Sequence, residues 1–132
     1  MNATTAAAAA PGCTPVAGAT HFRWEKMSGD SPMALLERRR VMGKQMMISR
    51  VALTKGCDVQ VHAHENEQIT CVLTGRLRFT LGPERRECVV GPGEVLLLPA
   101  NVPHGAYALE DTVVLDLFSP PSQTTGIDHH NH

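Results

Sequence analysis

The chain lacks a charge excess and a long apolar run, and each absence excludes a class of protein. Its 132 residues carry 12 Lys and Arg against 13 Asp and Glu, a formal net charge of −1, whereas nucleic-acid-binding domains usually show a basic excess. No apolar run approaches the ~18 residues of a membrane-spanning helix. The alanines at positions 6–10 lack the basic leader of a secretory signal. We therefore expect one globular cytoplasmic domain with no nucleic-acid or membrane partner.

Paired cysteines are also missing. None of the four cysteines, Cys13, Cys57, Cys71 and Cys88, stands in a C-x-x-C pair. A chain of this length does not need disulfides to fold, so we expect reduced thiols, in keeping with a cytoplasmic location.

Both ends of the chain look unstructured. Residues 1–20 contain no charged residue and no apolar period, and they predict a disordered N-terminal arm. Residues 122–132 predict a disordered tail whose histidines belong to solvent or to a cloning remnant. The folded domain is expected at 21–121. An arm that reaches across to a second subunit, and a sheet edge that needs covering, favour a homodimer.

The middle of the chain is patterned as short strands. Met47–Leu53 and Arg76–Leu81 alternate apolar and polar residues, which is typical of half-buried strands. Gln68–Leu73 and Thr112–Phe118 are rich in β-branched residues, and the continuous apolar run Val95–Leu98 predicts a strand buried on both faces. About eight such strands, separated by Gly and Pro turns and without a convincing helix, predict an all-β sandwich or small barrel.

One stretch concentrates metal-ligand chemistry. His62 and His64 are two residues apart, so on a strand both imidazoles point to one face, and Gln68 follows closely. His104 ends a second stretch after an apolar run. Imidazole nitrogens with an amide oxygen suit one divalent transition ion, and this ligand set does not choose among Zn, Ni, Fe, Co and Mn.

These two stretches resemble the two sequence motifs of the cupins. In the first motif, residues 56–75, the glycines, His62 and His64 fall on every spacing, and Gln68 replaces the usual Glu. In the second, residues 91–104, a Gly, a Pro and His104 match, while Asn replaces a Gly. The resemblance implies an all-β cupin double-stranded β-helix, that is, a single-domain jelly-roll barrel.

A narrower resemblance comes from three short segments. The residues HAHENEQ at 62–68, NVPHGA at 101–106 and LDLFSPP at 115–121 resemble the pectin-degradation cupins of the KdgF type. That family opens cyclic 4,5-unsaturated uronates and converts them to linear keto forms. The resemblance implies a small sugar acid as substrate, a non-redox metal-dependent isomerase, and four metal ligands: His62, His64, Gln68 and His104.

The last strand supplies two further candidates. The resemblance assigns Asp116 and Phe118 to the substrate-facing side, and a carboxylate inside VVLDLF is unusual on its own. A buried carboxylate with a raised pKa suits a general acid or base. The structural alternative is that Asp116 pairs with Arg50 or another basic residue to close the barrel. Phe118 is expected to pack on the sugar ring.

The chain departs from that family at Ser122, where an Arg that meets the substrate carboxylate is common. Another cation must then take over, and the candidates are Arg50, Arg76 and Arg78.

Three other functions stay open at this point. A metal-dependent cupin dioxygenase would need a redox-active ion and O₂. A non-catalytic cupin would bind a sugar as a sensor. A structural cupin would hold no metal at all.

Overall fold

The structure, a computed structural model, describes residues 14–127, with Thr14 and Pro15 described by their backbone alone. Within this range one short 3₁₀ turn at Trp24–Lys26 accompanies a set of strands. The strands are β1 (Thr14–Val16), β2 (Ala19–His21), β3 (Asp30–Met33), β4 (Leu36–Met42), β5 (Met47–Leu53), β6 (Asp58–His62), β7 (Glu67–Thr74), β8 (Leu77–Leu81), β9 (Arg86–Val90), β10 (Val95–Leu98), β11 (His104–Ala108) and β12 (Thr112–Ser119).

Two antiparallel sheets form the body. One has six strands in the order β10-β7-β12-β5-β4-β3, and the other has four in the order β6-β11-β8-β9. Buried apolar side chains from both sheets meet in a single core. The prediction of an all-β jelly-roll barrel is confirmed. None of the helical structure in residues 14–127 is long and apolar enough to cross a membrane.

Side-chain alternation decides which residues of a strand reach the interior. In β5 the buried residues Met47, Ser49, Val51 and Leu53 alternate with partly exposed ones, as the sequence predicts. Successive side chains of a strand point to opposite faces, so Arg50 lies on the outer face of the six-stranded sheet. The interior of β5 is therefore free of charge.

The prediction that Val95–Leu98 is buried on both faces was wrong, because one face of this strand is exposed. Only Leu98 is buried in this strand, at 2 % exposure, whereas Val95 and Leu97 are 62 % and 55 % exposed. Within residues 14–127, β10 ends the order of the six-stranded sheet and pairs with β7 alone. An end strand with one face on the core needs apolar residues on that face only, so the continuous apolar run did not indicate burial on both sides.

The neighbouring leucines of β10 provide a test of this burial. We expect Leu98→Ala to lower the free energy of unfolding by ~2–5 kcal/mol, because it leaves a cavity in the core. The matched variant Leu97→Ala removes the same atoms from the exposed face and is expected to cost less than ~1 kcal/mol. Urea denaturation of both variants measures the difference, and equal losses would contradict the assignment of faces.

The expected disordered ends are corrected over the residues that the structure describes. Residues 14–20, expected as part of a disordered arm, contribute to an antiparallel hairpin of β1 and β2. At the other end Thr125 is buried at 6 % exposure and Ile127 packs against the core. Short polar segments without a period can still be ordered by contacts with a barrel, which sequence pattern does not report. Residues 1–13 and 128–132 lie outside the described part of the chain.

Candidate metal centre and its surroundings

Three histidines converge at one end of the barrel. His62 ends β6 and pairs in register with His104, which begins β11, while His64 lies in the loop after β6. One ring nitrogen from each of the three lies within 4.8 Å of the other two. The ring centroids are 4.5 Å apart for His62 and His104 and 4.9 Å apart for His64 and His104. The structure thus brings together the three histidines that the sequence selected.

Backbone carbonyls fix the orientation of all three rings. The Nδ1 atoms of His62, His64 and His104 lie 2.8, 3.1 and 2.9 Å from the carbonyl oxygens of Gln60, Asn66 and Val102, respectively. A carbonyl oxygen only accepts, so each Nδ1 carries the proton and donates. In the neutral imidazole the Nε2 lone pair is then available to a metal ion. Burial lowers the pKa of His104 and favours that neutral form.

Gln68 adds an oxygen to the cluster. Its side-chain Nε2 donates to the Thr70 hydroxyl at 2.9 Å and to Asp116 Oδ1 at 3.3 Å. These two acceptors leave the amide oxygen turned the other way, and Oε1 lies 3.1 Å from His64 Nε2. Gln68 is 7 % exposed and is the second residue of β7, a strand of the six-stranded sheet, so the group of four spans both sheets.

Asp116 lies on the inner face of β12, directly behind Gln68. It pairs in register with Thr70 on one side and Ser49 on the other. The Thr70 hydroxyl donates to Asp116 Oδ1 at 2.5 Å. Burial raises the pKa of Asp116 to about 6 against the opposing effect of the hydrogen bonds from Thr70 and Gln68. The alternative of an ion pair with Arg50 is wrong, because Arg50 lies on the opposite face of the sheet.

Phe118 also lies at the site. It is 6 % exposed, and its ring centroid is 5.8 Å from that of His64, edge to face. Glu65 and Glu67, which both precede Gln68 in sequence, are exposed. The aromatic ring therefore forms part of the wall beside the histidines.

Two asparagines hold the loop that carries His64, and sequence reasoning missed the role of both. Asn66 is 2 % exposed, its side-chain amide donates to the carbonyl of Pro120, and its own carbonyl orients His64. Asn101 has a positive φ of 67°, and its backbone N–H donates to the His64 carbonyl at 2.8 Å. Asn adopts the left-handed conformation more readily than most residues, which explains how it replaces the Gly of the second motif.

The cations suggested by the sequence lie elsewhere. Leu81, at the last position of β8, pairs with His104, whereas Arg76 lies just before the other end of that strand. The Arg76 guanidinium is 3.8 Å from Glu110. Arg78 approaches Glu87 at 4.0 Å and covers the ring of Tyr107. Together with the outward Arg50, none of the three candidate cations reaches the histidine cluster.

Two other arginines occupy the inner face instead. In register, Arg38 pairs with Val51 and Arg40 with Ser49, both of which point inward. Arg38 makes a two-pronged ion pair with Asp30, with both N–O distances at 3.0 Å. Arg40 donates to the carbonyl of Gln123 at 2.8 Å and stands 4.0 Å from the same Asp30 carboxylate. Two guanidinium groups therefore share one carboxylate at this end of the barrel.

A small cavity of about 70 Å³ lies beside the histidine cluster. Its lining includes His62, His104, Gln68, Asp116 and Phe118. Apolar residues from both sheets complete the inner wall. Three of the four metal-ligand candidates, His62, His104 and Gln68, thus face the same cavity as the Asp116 carboxylate.

The residues fit a divalent metal ion. Three imidazoles with their Nδ1 protons engaged, and one amide whose nitrogen is engaged, direct only acceptor atoms at a common point. This nitrogen and oxygen set suits first-row transition metals in general and does not select one of them.

A jelly-roll barrel with a histidine cluster at one end is the architecture of a metal-binding β-barrel protein. The family model for the cupin domain matches residues 49–118, more than half of the chain. The chain belongs to the cupin family.

Comparison with known proteins places it near a particular branch. The structure of KdgF from Halomonas sp. matches with 30 % identity and a TM-score of 0.71, covering 77 % of this chain and 94 % of that one. An RmlC-like cupin from Shewanella frigidimarina matches with 23 % identity and a TM-score of 0.72, over 77 % and 91 %. An uncharacterized protein of Streptomyces coelicolor is 33 % identical over 79 residues, 59 % of this chain and 73 % of that protein. The chain is a KdgF-like single-domain cupin.

Proposed function

We propose that this cupin opens and ketonises a small cyclic 4,5-unsaturated uronate, with Asp116 as the proton carrier. The observation that carries the proposal is the position of Asp116 on the same cavity as the histidine cluster, hydrogen-bonded to Gln68. The likeness to KdgF supports the choice of substrate class. A metal ion held by His62, His64, His104 and Gln68 would supply a Lewis acid for the substrate oxygens.

The reaction is an isomerisation, so its atoms balance without a co-reactant. Asp116 as carboxylate takes the proton of the anomeric hydroxyl, the bond between the anomeric carbon and the ring oxygen breaks, and an aldehyde and an enolate result. Asp116, now protonated, gives the proton to the enol-ether carbon, and the enolate becomes a ketone. A carboxyl group with a pKa of about 6 suits both halves of this transfer near neutral pH. Phe118 excludes water from one side.

Arg40 is the cation we assign to the substrate carboxylate. Its side chain lies on the inner face of β4, beside Ser49 of the adjacent strand β5. Ser49 in turn pairs with Asp116 of β12, the next strand of the sheet. Its hydrogen bond to the carbonyl of Gln123 places the guanidinium next to Ser122, where an Arg was expected. Arg38 already donates two hydrogen bonds to the Asp30 carboxylate, one from Nε and one from Nη2. A carboxylate ligand forms a stronger, charge-assisted pair with Arg40 than the neutral carbonyl does.

The arginines of neighbouring strands test this assignment. We expect Arg40→Met to raise KM for an unsaturated uronate ~10- to 100-fold, the range for losing a hydrogen bond to a charged group. Arg50→Met makes the same change on the outer face of the adjacent strand and is expected to leave KM unchanged. A KM that rises in Arg50→Met and stays unchanged in Arg40→Met would contradict the assignment.

The activity itself is tested with purified unsaturated mono-uronate. Ketonisation removes the carbon–carbon double bond conjugated to the carboxylate, so the ultraviolet absorbance of that group should fall with enzyme and not with buffer. Product identity follows from NMR of the linear keto acid. Turnover that requires O₂ and fails with Zn would instead indicate a dioxygenase, and binding without turnover would indicate a sensor.

A further inference from the structure

Part of the wall of the cavity comes from a segment outside the barrel strands. Almost all of its lining residues belong to the strands of the two sheets or pack between them. The lining residues after β12 are Thr125 and Ile127. At about 70 Å³ the cavity is far smaller than the ~300–1,000 Å³ of ordinary ligand pockets. More room for a sugar acid is gained if part of the wall moves, and the C-terminal segment is the part of the lining that no sheet holds.

The segment 122–127 crosses the mouth from one sheet to the other. On the six-stranded side, Arg40 donates to the carbonyl of Gln123 and the Gln123 amide approaches Met42 Sδ at 3.8 Å. On the four-stranded side, the backbone at Gly126 lies against the imidazole of His62. A Cβ on Gly126 would stand 2.2 Å from His62 Cδ2, and the φ of 99° also favours glycine.

Thr125 is a buried lining residue of the cavity and carries a hydroxyl group. Its side chain is 6 % exposed and lines the space shared with His62 and Asp116. Within residues 14–127 the structure gives this hydroxyl no hydrogen-bond partner. Burying a hydroxyl without a partner is unfavourable by ~1–3 kcal/mol, so such a group is expected to find a ligand or water in the cavity.

We propose that residues 122–127 form a lid that opens to admit the ligand and, on closing, hydrogen-bonds the bound polyhydroxy acid through Thr125. The identity of the ligand rests on the proposed function, whereas the movement of the lid does not. Opening separates Gly126 from His62 and replaces the Arg40–Gln123 bond by contacts to solvent or ligand. Closing excludes water from the groups around Asp116.

The close contact at Gly126 tests the lid without any substrate. In metal-free full-length protein we expect Gly126→Ala to increase the rate at which diethylpyrocarbonate modifies His62 several-fold, because the lid no longer seats on that ring. The matched control Gly93→Ala changes a glycine with a similar φ of 81° and nothing within 4 Å of its Cβ position. Peptide mass spectrometry gives the rates. Equal His62 rates in Gly126→Ala and wild type would overturn the lid.

Thr125 is tested by removing its hydroxyl while keeping its shape. We expect Thr125→Val to weaken binding of galacturonate, an unreactive uronate, ~3- to 10-fold by calorimetry, the range for one neutral hydrogen bond. Thr124→Val, at an exposed neighbour, should bind like wild type. Unchanged affinity in Thr125→Val would overturn the role of its hydroxyl.

The uronate-binding and His62-labelling measurements distinguish failure of the proposed substrate class from failure of the proposed lid. If wild-type protein binds no uronate, both the substrate class and the Thr125 contact fail, and the labelling of His62 still decides the lid. If the unsaturated uronate is converted while Gly126→Ala leaves His62 labelling unchanged, the lid alone fails.

Discussion

Replacing His62 or His64 by alanine is expected to abolish stoichiometric metal binding. We expect wild-type protein to hold close to one transition-metal ion per chain. Three converging imidazoles form most of the ligand set. Loss of a residue that only hydrogen-bonds a metal ligand typically lowers the affinity for the metal ~10- to 100-fold. Loss of a ligand itself should lower that affinity at least as much. Elemental analysis after dialysis measures the ion content.

The measurement needs a background free of the terminal histidines. His129, His130 and His132 should be replaced by alanine in every variant, while residues 122–127 stay because Thr125 and Ile127 line the cavity. His21→Ala is the matched control, since His21 is exposed on β2. Metal content that is zero in wild type and cannot be restored, or that survives both site substitutions, would contradict the metal centre.

Asp116→Asn is expected to lower kcat for unsaturated uronate ~10²- to 10⁴-fold, the usual contribution of a general acid or base. Asparagine keeps the shape of the side chain but does not exchange the proton. Metal content should stay at the wild-type value, because the imidazole ligands and their carbonyl partners are unaffected.

Further measurements distinguish a role of Asp116 in proton transfer from a role in positioning Gln68. Asp58→Asn removes an exposed carboxylate of β6 and should leave kcat unchanged. Asp116 also accepts from the amide of Gln68, so a purely positioning role predicts a different result. In that case Asp116→Asn would lower the metal content, with a small effect on kcat in metal-saturated protein, and the proton-carrier role would be wrong.

The metal cluster could be predicted because its signal is local. His62 and His64 stand two residues apart, and the spacing of the surrounding glycines resembles a known motif. The glycines themselves explain part of this regularity: Gly56 and Gly75 have φ values of 92° and 86°, which most other residues adopt poorly. His104 ends a second stretch of the sequence, and its pairing with His62 is a long-range contact that spacing alone does not show.

The arginines of the inner face could not be predicted in the same way. Arg50 and Arg40 look alike in sequence, and the faces they occupy follow from strand register. Arg40 pairs with the inward Ser49, and Arg50 is the next residue of that strand, so it points outward. A shift of one residue in register would have exchanged their roles.

By itself the sequence determined the all-β class, the alternation that buries one face of each strand, and the set of residues able to bind a metal. These depend on periods and spacings within short segments. Only the tertiary structure decided which arginines occupy the inner face, that β10 has an exposed face, and that Gly126 lies against His62. Each of these depends on contacts between segments far apart in the chain, such as Gly126 against His62, and local pattern carries no information about such contacts.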